Sequence, residues 1–435
     1  MLQTGIKKHL SFASLVDFIS DLYLKVEDPR DATKVEHSIR DTAMSAVAMM
    51  HFQSGSVLHF QRQLEEEKRR SNLSTIFGVD KVPSDTQMRE ILDEVPSETA
   101  RPAFKKYFSR LQRGKYLEPF QIFPGQYLCS LDGSQYFGSD KVSCPHCLIR
   151  EHKGGKTSYS HLILQATLVH PEQKQVLPLM PEEICNEDGT TKQDCELNAA
   201  KRILPKIRTE HPFLDIIING DGLYSKQPIF ELLNELKMHG IFVAKEDDHK
   251  YLFEWIAEQK KLKEVLLLEV VDDKMRRHRY EWINQVPLNG REDSVQVNFF
   301  RYKIIVDGEV TYKSAWVTDL ELTKQNIQTM VKAARARWKI ENECFNTLKN
   351  QGYSIEHNFG HGSKNLSFNF FLFNLLAFFI HQILELTDGL YQRCRKRYGS
   401  KKYLWETLRS FFGFFIFESW EHLLKVALKE EPRPG

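Results

Sequence analysis

QYLCSLDGSQYF, Gln126 to Phe137, is where the chain changes its period. Upstream the apolar residues recur every three or four positions, as on helices; from here they alternate or cluster in short runs, as in strands. This stretch predicts a first strand, with SYSHLILQATLVH (158–170) a second and KQVLPLMP (174–181) a third. DCELNAAKRILPKIRTEH (194–211) then reads as a helix, FLDIIINGD (213–221) as an apolar strand, SKQPIFELLNELKMHG (225–240) as a helix and IFVAK (241–245) as a fifth strand. Three strands, a helix, a strand, a helix and a strand make an α/β fold, a mixed sheet with helices on its faces.

Working outward, residues 1–120 read as a helical N-terminal domain with breaks at Asp28-Pro29, Gly55, Gly78 and Pro96. Ser84 with Gln87 three residues on has the form of a capping box. Small helices rich in Arg and Lys suit a DNA-binding head, and equally a plain packing domain. Residues 121–259 form the first part of the α/β core. Residues 260–320 interrupt it with strand-like segments, EVLLLEVV, SVQVNFFRYKIIV and EVTYKSAWVT, separated by turn signals at Asn289-Gly290 and Asp307-Gly308, and read as an all-β insertion. Helical periodicity resumes over 321–365 and continues through a Phe-rich C-terminal region, 366–435.

At 435 residues the chain is too long for one ordinary core. Its 41% apolar and 27% charged residues are those of a folded globular protein, and a net charge of +2 leaves any nucleic-acid binding to local basic patches. One such patch is YQRCRKRYGSKK, Tyr391 to Lys402, in which Arg395 and Arg397 are candidate phosphate contacts. Seven cysteines behind a start, MLQTGIKKHLSF, that lacks an apolar signal core point to a reducing compartment. LSFNFFLFNLLAFFIHQIL (366–384) carries no charge, but Asn369, Asn374, His381 and Gln382 interrupt it, which suits a helix buried in protein better than a membrane span.

Two aspartates stand at strand ends, Asp132 before Gly133 and Asp221 before Gly222. Ligands of open α/β sheets gather at such ends, although an Asp-Gly pair alone is also a common turn. A third acid comes from RWKIENECFNTLKNQGY (337–353), which reads as an amphipathic helix. At about 100° per residue its two carboxylates, Glu341 and Glu343, point about 200° apart, so only one of them can join a common site. Arg337 shares the face of Glu341, whereas Glu343 lies near Lys339 on the other side. Converging carboxylates repel one another unless a cation joins them, and oxygen ligands suit Mg²⁺. Three such acids therefore predict a metal site for phosphoryl transfer, two ions about 4 Å apart serving the attacking and leaving oxygens.

These residues closely resemble the DDE transposases of bacterial insertion sequences, in particular the cut-and-paste family numbered four, over about residues 120–365. The resemblance implies a ribonuclease-H-like core. It implies that Asp132, Asp221 and Glu341 hold Mg²⁺ or Mn²⁺, hydrolyse double-stranded DNA at transposon ends and drive attack of the freed 3′-hydroxyl on target DNA. A homodimer on DNA in the bacterial cytoplasm, associated with the nucleoid and without a membrane role, is implied with it. Arg337 matches the family's phosphate clamp. Ala334 stands where the family has Tyr, and the family's Lys is displaced by one residue to Lys349. Trp316, in AWVTDL, matches the Trp that stacks on a flipped base; its plain reading is a packed strand residue. The rivals are a ribonuclease-H-like nuclease without strand transfer and an inactive DNA-binding protein.

Cys144-Pro-His-Cys147, followed by His152 and His161, has spacing suited to a structural zinc, with Cys185 or Cys195 as substitute ligands. His357 and His361, in a glycine-containing loop just beyond the Glu341 segment, read as a solvated turn, with contact to phosphate or a place flanking the metal as the alternatives.

Overall fold

The computed structural model describes residues 8–434 except 32, 34, 56, 59, 61–66 and 186–193. The N-terminal region is helical, as its periodicity predicts: α1 (Phe12–Leu24), α2 (Ile39–His51), α3 (Glu67–Phe77), α4 (Asp85–Glu94) and α5 (Arg101–Arg113). The capping box opens α4, with the Gln87 backbone N donating to Ser84 Oγ and the Ser84 backbone N to Gln87 Oε1.

The sheet follows. Its first half comprises β1 (Gln121–Phe123), β2 (Gln126–Ser139), β3 (Leu148–Glu151), β4 (Thr157–Val169), β5 (Leu177–Pro178), β6 (Glu182–Ile184), helix α6 (Glu196–Glu210), β7 (Asp215–Gly220), α7 (Gln227–Glu235) and β8 (His239–Val243). Then come α8 (Lys250–Lys261), which the periodicity reading did not separate, and β9 (Leu266–Val271), β10 (Arg277–Pro287), β11 (Gln296–Val306) and β12 (Glu309–Thr318). All 12 strands form one mixed, open sheet, ordered β3-β4-β2-β7-β8-β12-β11-β10-β9 along its main path.

The β-rich insertion is thus not a separate module. Antiparallel pairing of β12 with β8, through Trp316↔Val243, Val317↔Phe242 and Thr318↔Ile241, continues the sheet into it. A strand edge left open on β8 would expose unpaired backbone groups, and β12 satisfies them. The turn joining β11 to β12 uses Asp307 and Gly308, both at positive φ (51° and 88°), as a two-residue hairpin requires.

After the sheet come α9 (Ile327–Arg335), a π turn over Ile340–Phe345, α10 (Asn346–Asn350), α11 (Leu366–Thr387), α12 (Gly389–Tyr398), α13 (Lys401–Phe414) and α14 (Trp420–Ala427). Helix α11 is the one helix among the described residues long and apolar enough to cross a membrane, yet 83% of its apolar window is buried inside the protein. Its polar residues find partners there: Asn369 Nδ2 donates to the Leu92 and Val95 carbonyls, Asn374 Nδ2 to that of Tyr353, and Gln382 Oε1 accepts from the Val176 backbone N, although Oδ1 of both asparagines is buried without a partner among the described residues. Most buried polar groups have such partners. The terminal helical regions share this core. Asn72 Nδ2 donates to the Phe412 and Phe415 carbonyls, and Phe12 stacks on Trp420 at 4.8 Å.

Candidate functional site

Strands β2 and β7 are parallel neighbours whose last paired residues are Ser130 and Asn219. Two residues beyond each stand Asp132 and Asp221. Asp132 is still within β2 and Asp221 follows the last residue of β7, so the two acids come from adjacent strands, and Asp221 is close enough to act on the Asp132 carboxyl. The Asp132-Gly133 pair is not a strand break: β4 keeps β2 paired past it through Asp132↔Gln165 and Gly133↔Leu164. Gly133 leaves space for a neighbouring side chain. A Cβ there would lie 2.4 Å from Glu196 Oε1. Its absence lets the first residue of α6 bring a fourth carboxylate to the acids, one the sequence reading did not single out. Tyr224 OH donates to Glu196 Oε2 at 3.0 Å.

Glu341 arrives from the opposite side. Asn219 Nδ2, at the end of β7, donates to the Ala333 carbonyl at 2.7 Å and so pins α9 against the sheet. Ala334 is only 2% exposed at this contact, which leaves no room for a larger side chain without displacing the helix. The Glu341 segment is a π turn where a regular α-helix was expected, with Ile340, Cys344 and Phe345 buried beneath it. Arg337 Nη1 donates to Glu341 Oε1 at 2.5 Å and lies 3.9 Å from Asp132 Oδ2.

Burial pushes the Asp132 carboxyl up to about 7; Arg337 opposes this, while Glu341, Glu196 and Asp221 reinforce it. Glu196 is likewise raised, by burial and by Asp221 against the Tyr224 hydrogen bond. Four acids thus lean on one another in a half-buried setting with one arginine as partial counter-charge. Such a donor set, all oxygen and short of positive charge, fits a hard divalent cation such as Mg²⁺ or Mn²⁺.

Glu343 faces away, as the helical rotation predicts, but not toward the expected partner: Lys339 Nζ donates to the Gln173 carbonyl at 2.6 Å. Glu343 instead lines an open cleft of about 490 Å³ with Tyr312, Lys332, Arg335, Trp338 and Lys339. Trp338 is 55% exposed there, an aromatic face among cations that periodicity alone did not single out.

Several expected contacts are redirected by packing. Trp316 is 2% exposed and stacks on Phe300 at 5.3 Å, which makes it a packed residue of β12 in the plain reading of its strand. Lys349 Nζ pairs with Glu356 at 2.8 Å. In the basic run Arg395 faces Glu385 at 3.7 Å and Arg397 Nη1 donates to the Leu428 carbonyl at 3.0 Å, so these charges fasten the C-terminal helices together.

The cysteine motif also changes partners. His152 turns outward, its Nε2 hydrogen-bonded with Ser158 Oγ at 2.8 Å, and neither Cys185 nor Cys195 joins the cluster. The fourth member is His361, from the loop read as a solvated turn. Ligand atoms of Cys144, Cys147, His161 and His361 all lie within 4.8 Å of one another, a group that can hold a metal ion. No family model and no curated protein matches this chain.

Proposed function

We propose that this chain is a DDE DNA transposase, a cut-and-paste enzyme with a ribonuclease-H-like core that cuts DNA at the ends of an insertion sequence and joins the freed 3′-hydroxyl to target DNA. The observation that carries the reading is the placement of Asp132 and Asp221 two residues past the last pair of adjacent parallel strands, with Glu341 brought over them and Asp132 pushed up to about 7. Perturbed acids in such a place are what metal-assisted phosphoryl transfer requires. The order β4-β2-β7-β8, antiparallel and then parallel, agrees with a ribonuclease-H-like core.

In this reading Asp132, Asp221 and Glu341 hold Mg²⁺ or Mn²⁺, with Glu196 beside them. The bound ions supply activation of the attacking oxygen and stabilisation of the leaving one. Arg337, already between Asp132 and Glu341, turns to a DNA phosphate once cations take over its counter-charge. The π turn supports the match to the family's helix, because such a turn accommodates one extra residue and so offsets the one-residue displacement of Lys349. The stacking role expected of Trp316 passes to exposed Trp338, whose cationic cleft suits an unpaired DNA segment. The Cys/His cluster takes Zn²⁺. Joining two ends calls for a homodimer on DNA, and the setting is the bacterial cytoplasm.

The test is incubation with DNA carrying the element's own ends and Mg²⁺, resolving nicked and joined products. Glu341→Gln should abolish cleavage while DNA binding persists, and Glu343→Gln should cut at near the normal rate. Cleavage surviving in Glu341→Gln would refute the site; nicking without joined products would leave a nuclease.

A further inference from the structure

We propose that a single structural Zn²⁺ on Cys144, Cys147, His161 and His361 clasps the loop leaving the Glu341 segment to the sheet, and thereby holds Glu341 over Asp132 and Asp221. The second half of this statement rests on the function proposed above; the first does not.

The four ligand atoms stand as the corners of a tetrahedron, five of its edges between 3.1 and 3.7 Å and the sixth within 4.8 Å. With Zn–S of about 2.3 Å and Zn–N of about 2.0–2.1 Å, edges of about 3.8 Å (S–S), 3.6 Å (S–N) and 3.3 Å (N–N) are required. The Sγ atoms of Cys144 and Cys147 are 3.7 Å apart; His161 Nε2 lies 3.4 and 3.3 Å from them; Cys147 Sγ to His361 Nε2 is 3.4 Å; and the two Nε2 atoms are 3.1 Å apart. The sulfurs are far beyond the roughly 2.05 Å of a disulfide. Two sulfurs and two imidazoles at tetrahedral spacing select zinc. Four protein ligands leave no open position, which marks the site as structural.

An outer shell is also present. His161 Nδ1 faces Glu183 Oε1 at 3.5 Å, an oxygen that accepts from Tyr136 OH, so a carboxylate stands behind the ring whose other nitrogen faces the cluster. The Cys144 backbone N donates to Cys147 Sγ at 3.4 Å, as thiolate ligands require.

The placement of the ligands gives the clasp its consequence. Cys144 and Cys147 lie between β2 and β3, and His161 is on β4 opposite Phe137 of β2, the strand of Asp132. His361 comes from the segment between α10 and α11, about twenty residues after Glu341. That segment has neither strand nor helix of its own. Its far end is held by Asp93, whose carboxylate accepts from the backbone N of Ser363, Lys364, Asn365 and Leu366. Gly362, at φ 66°, makes the turn between the two anchors, and a Cβ there would lie 2.3 Å from Asp93 Oδ1. The ion would therefore tie the exit of the Glu341 segment to β4 and the loop after β2, the strand bearing Asp132, across 200 residues of sequence.

Metal analysis of the purified full chain should find about one equivalent of zinc, and Co²⁺ substitution should give the visible absorption of tetrahedral thiolate coordination. His361→Ala should lose the zinc, His361→Cys should keep it, and His152→Ala should be unaffected. Hydrogen exchange in His361→Ala should rise at least tenfold over residues 340–365 while β7 stays protected, and DNA cleavage should fall at least tenfold. Zinc-free protein that is well folded, or a Cys144–Cys147 disulfide, would overturn the site. Zinc loss with unchanged exchange over 340–350 would overturn the clasp. A chain that binds zinc and shows the exchange change, yet cuts no DNA under any condition, would refute the proposed function and leave the clasp standing.

Discussion

Replacing Asp132 by Asn should stabilise the protein in the absence of Mg²⁺ while destroying its response to that ion. Burial, reinforced by Glu341, Glu196 and Asp221 against Arg337, pushes this carboxyl up to about 7 from its usual 3.8. The folded state thus keeps the proton to about pH 7, whereas the unfolded chain releases it near pH 4. Stability falls with pH wherever the folded state binds more protons, so the Mg²⁺-free protein should lose stability between about pH 4 and 7 and level off above. The full displacement corresponds to about 4 kcal/mol at pH 8. With the side chain 22% exposed and Arg337 at 3.9 Å, solvent and local relaxation reduce this, and about 1–2 kcal/mol is the gain expected for Asn. Asn keeps the acceptor for the Gly133 backbone N, which donates to Asp132 Oδ1 at 3.1 Å. Conversely, Mg²⁺ at ten times its dissociation constant should stabilise the native protein by about 1.4 kcal/mol and leave the variant unchanged. Urea unfolding at pH 5 and pH 8, with and without Mg²⁺ and without a chelator that would strip zinc, reads all of these quantities. A variant less stable than the native protein at pH 8, or equal stabilisation of both by Mg²⁺, would refute the reasoning.

Trp316→Ala should destabilise the fold by about 3–5 kcal/mol and weaken every DNA step together, because it empties a packed position beside Phe300; normal stability with loss of one step alone would restore a stacking role. Asp93→Ala should cost about 1–2 kcal/mol and speed proteolysis within 351–365, since four backbone N–H groups lose their acceptor. Although burial raises the Asp93 carboxyl, those N–H groups prevail and hold it below the usual range, so its contribution should be present above about pH 4 and vanish as pH falls further, which the same unfolding assay checks by comparing the two proteins across acid pH.

The strand at Gln126 to Phe137, the apolar strand ending at Asp221, the helices around them and the opposed directions of Glu341 and Glu343 were legible in the sequence. So was the burial of α11, because Asn369, Asn374 and Gln382 within an apolar run need partners that lipid does not offer. Each of these follows from periodicity over ten or twenty residues, a property the chain carries locally. Glu196 and His361 were not legible. Glu196 comes beside Asp132 because α6 docks there, with its carboxylate in the space Gly133 leaves; His361 reaches Cys147 across 214 residues, and nothing near it distinguishes a ligand from a solvated turn. The same holds for Trp316, whose strand alternation is identical whether its face meets solvent or Phe300, and for the insertion, whose strands announce themselves but not the edge of β8 that they join. The sequence by itself determined most of the helical and strand segments and which carboxylates they carry, though not that β2 runs on past Asp132 or that Glu341 sits on a π turn. Only the tertiary structure decided which side chains from distant segments meet, because that depends on how the elements close around the shared sheet and core.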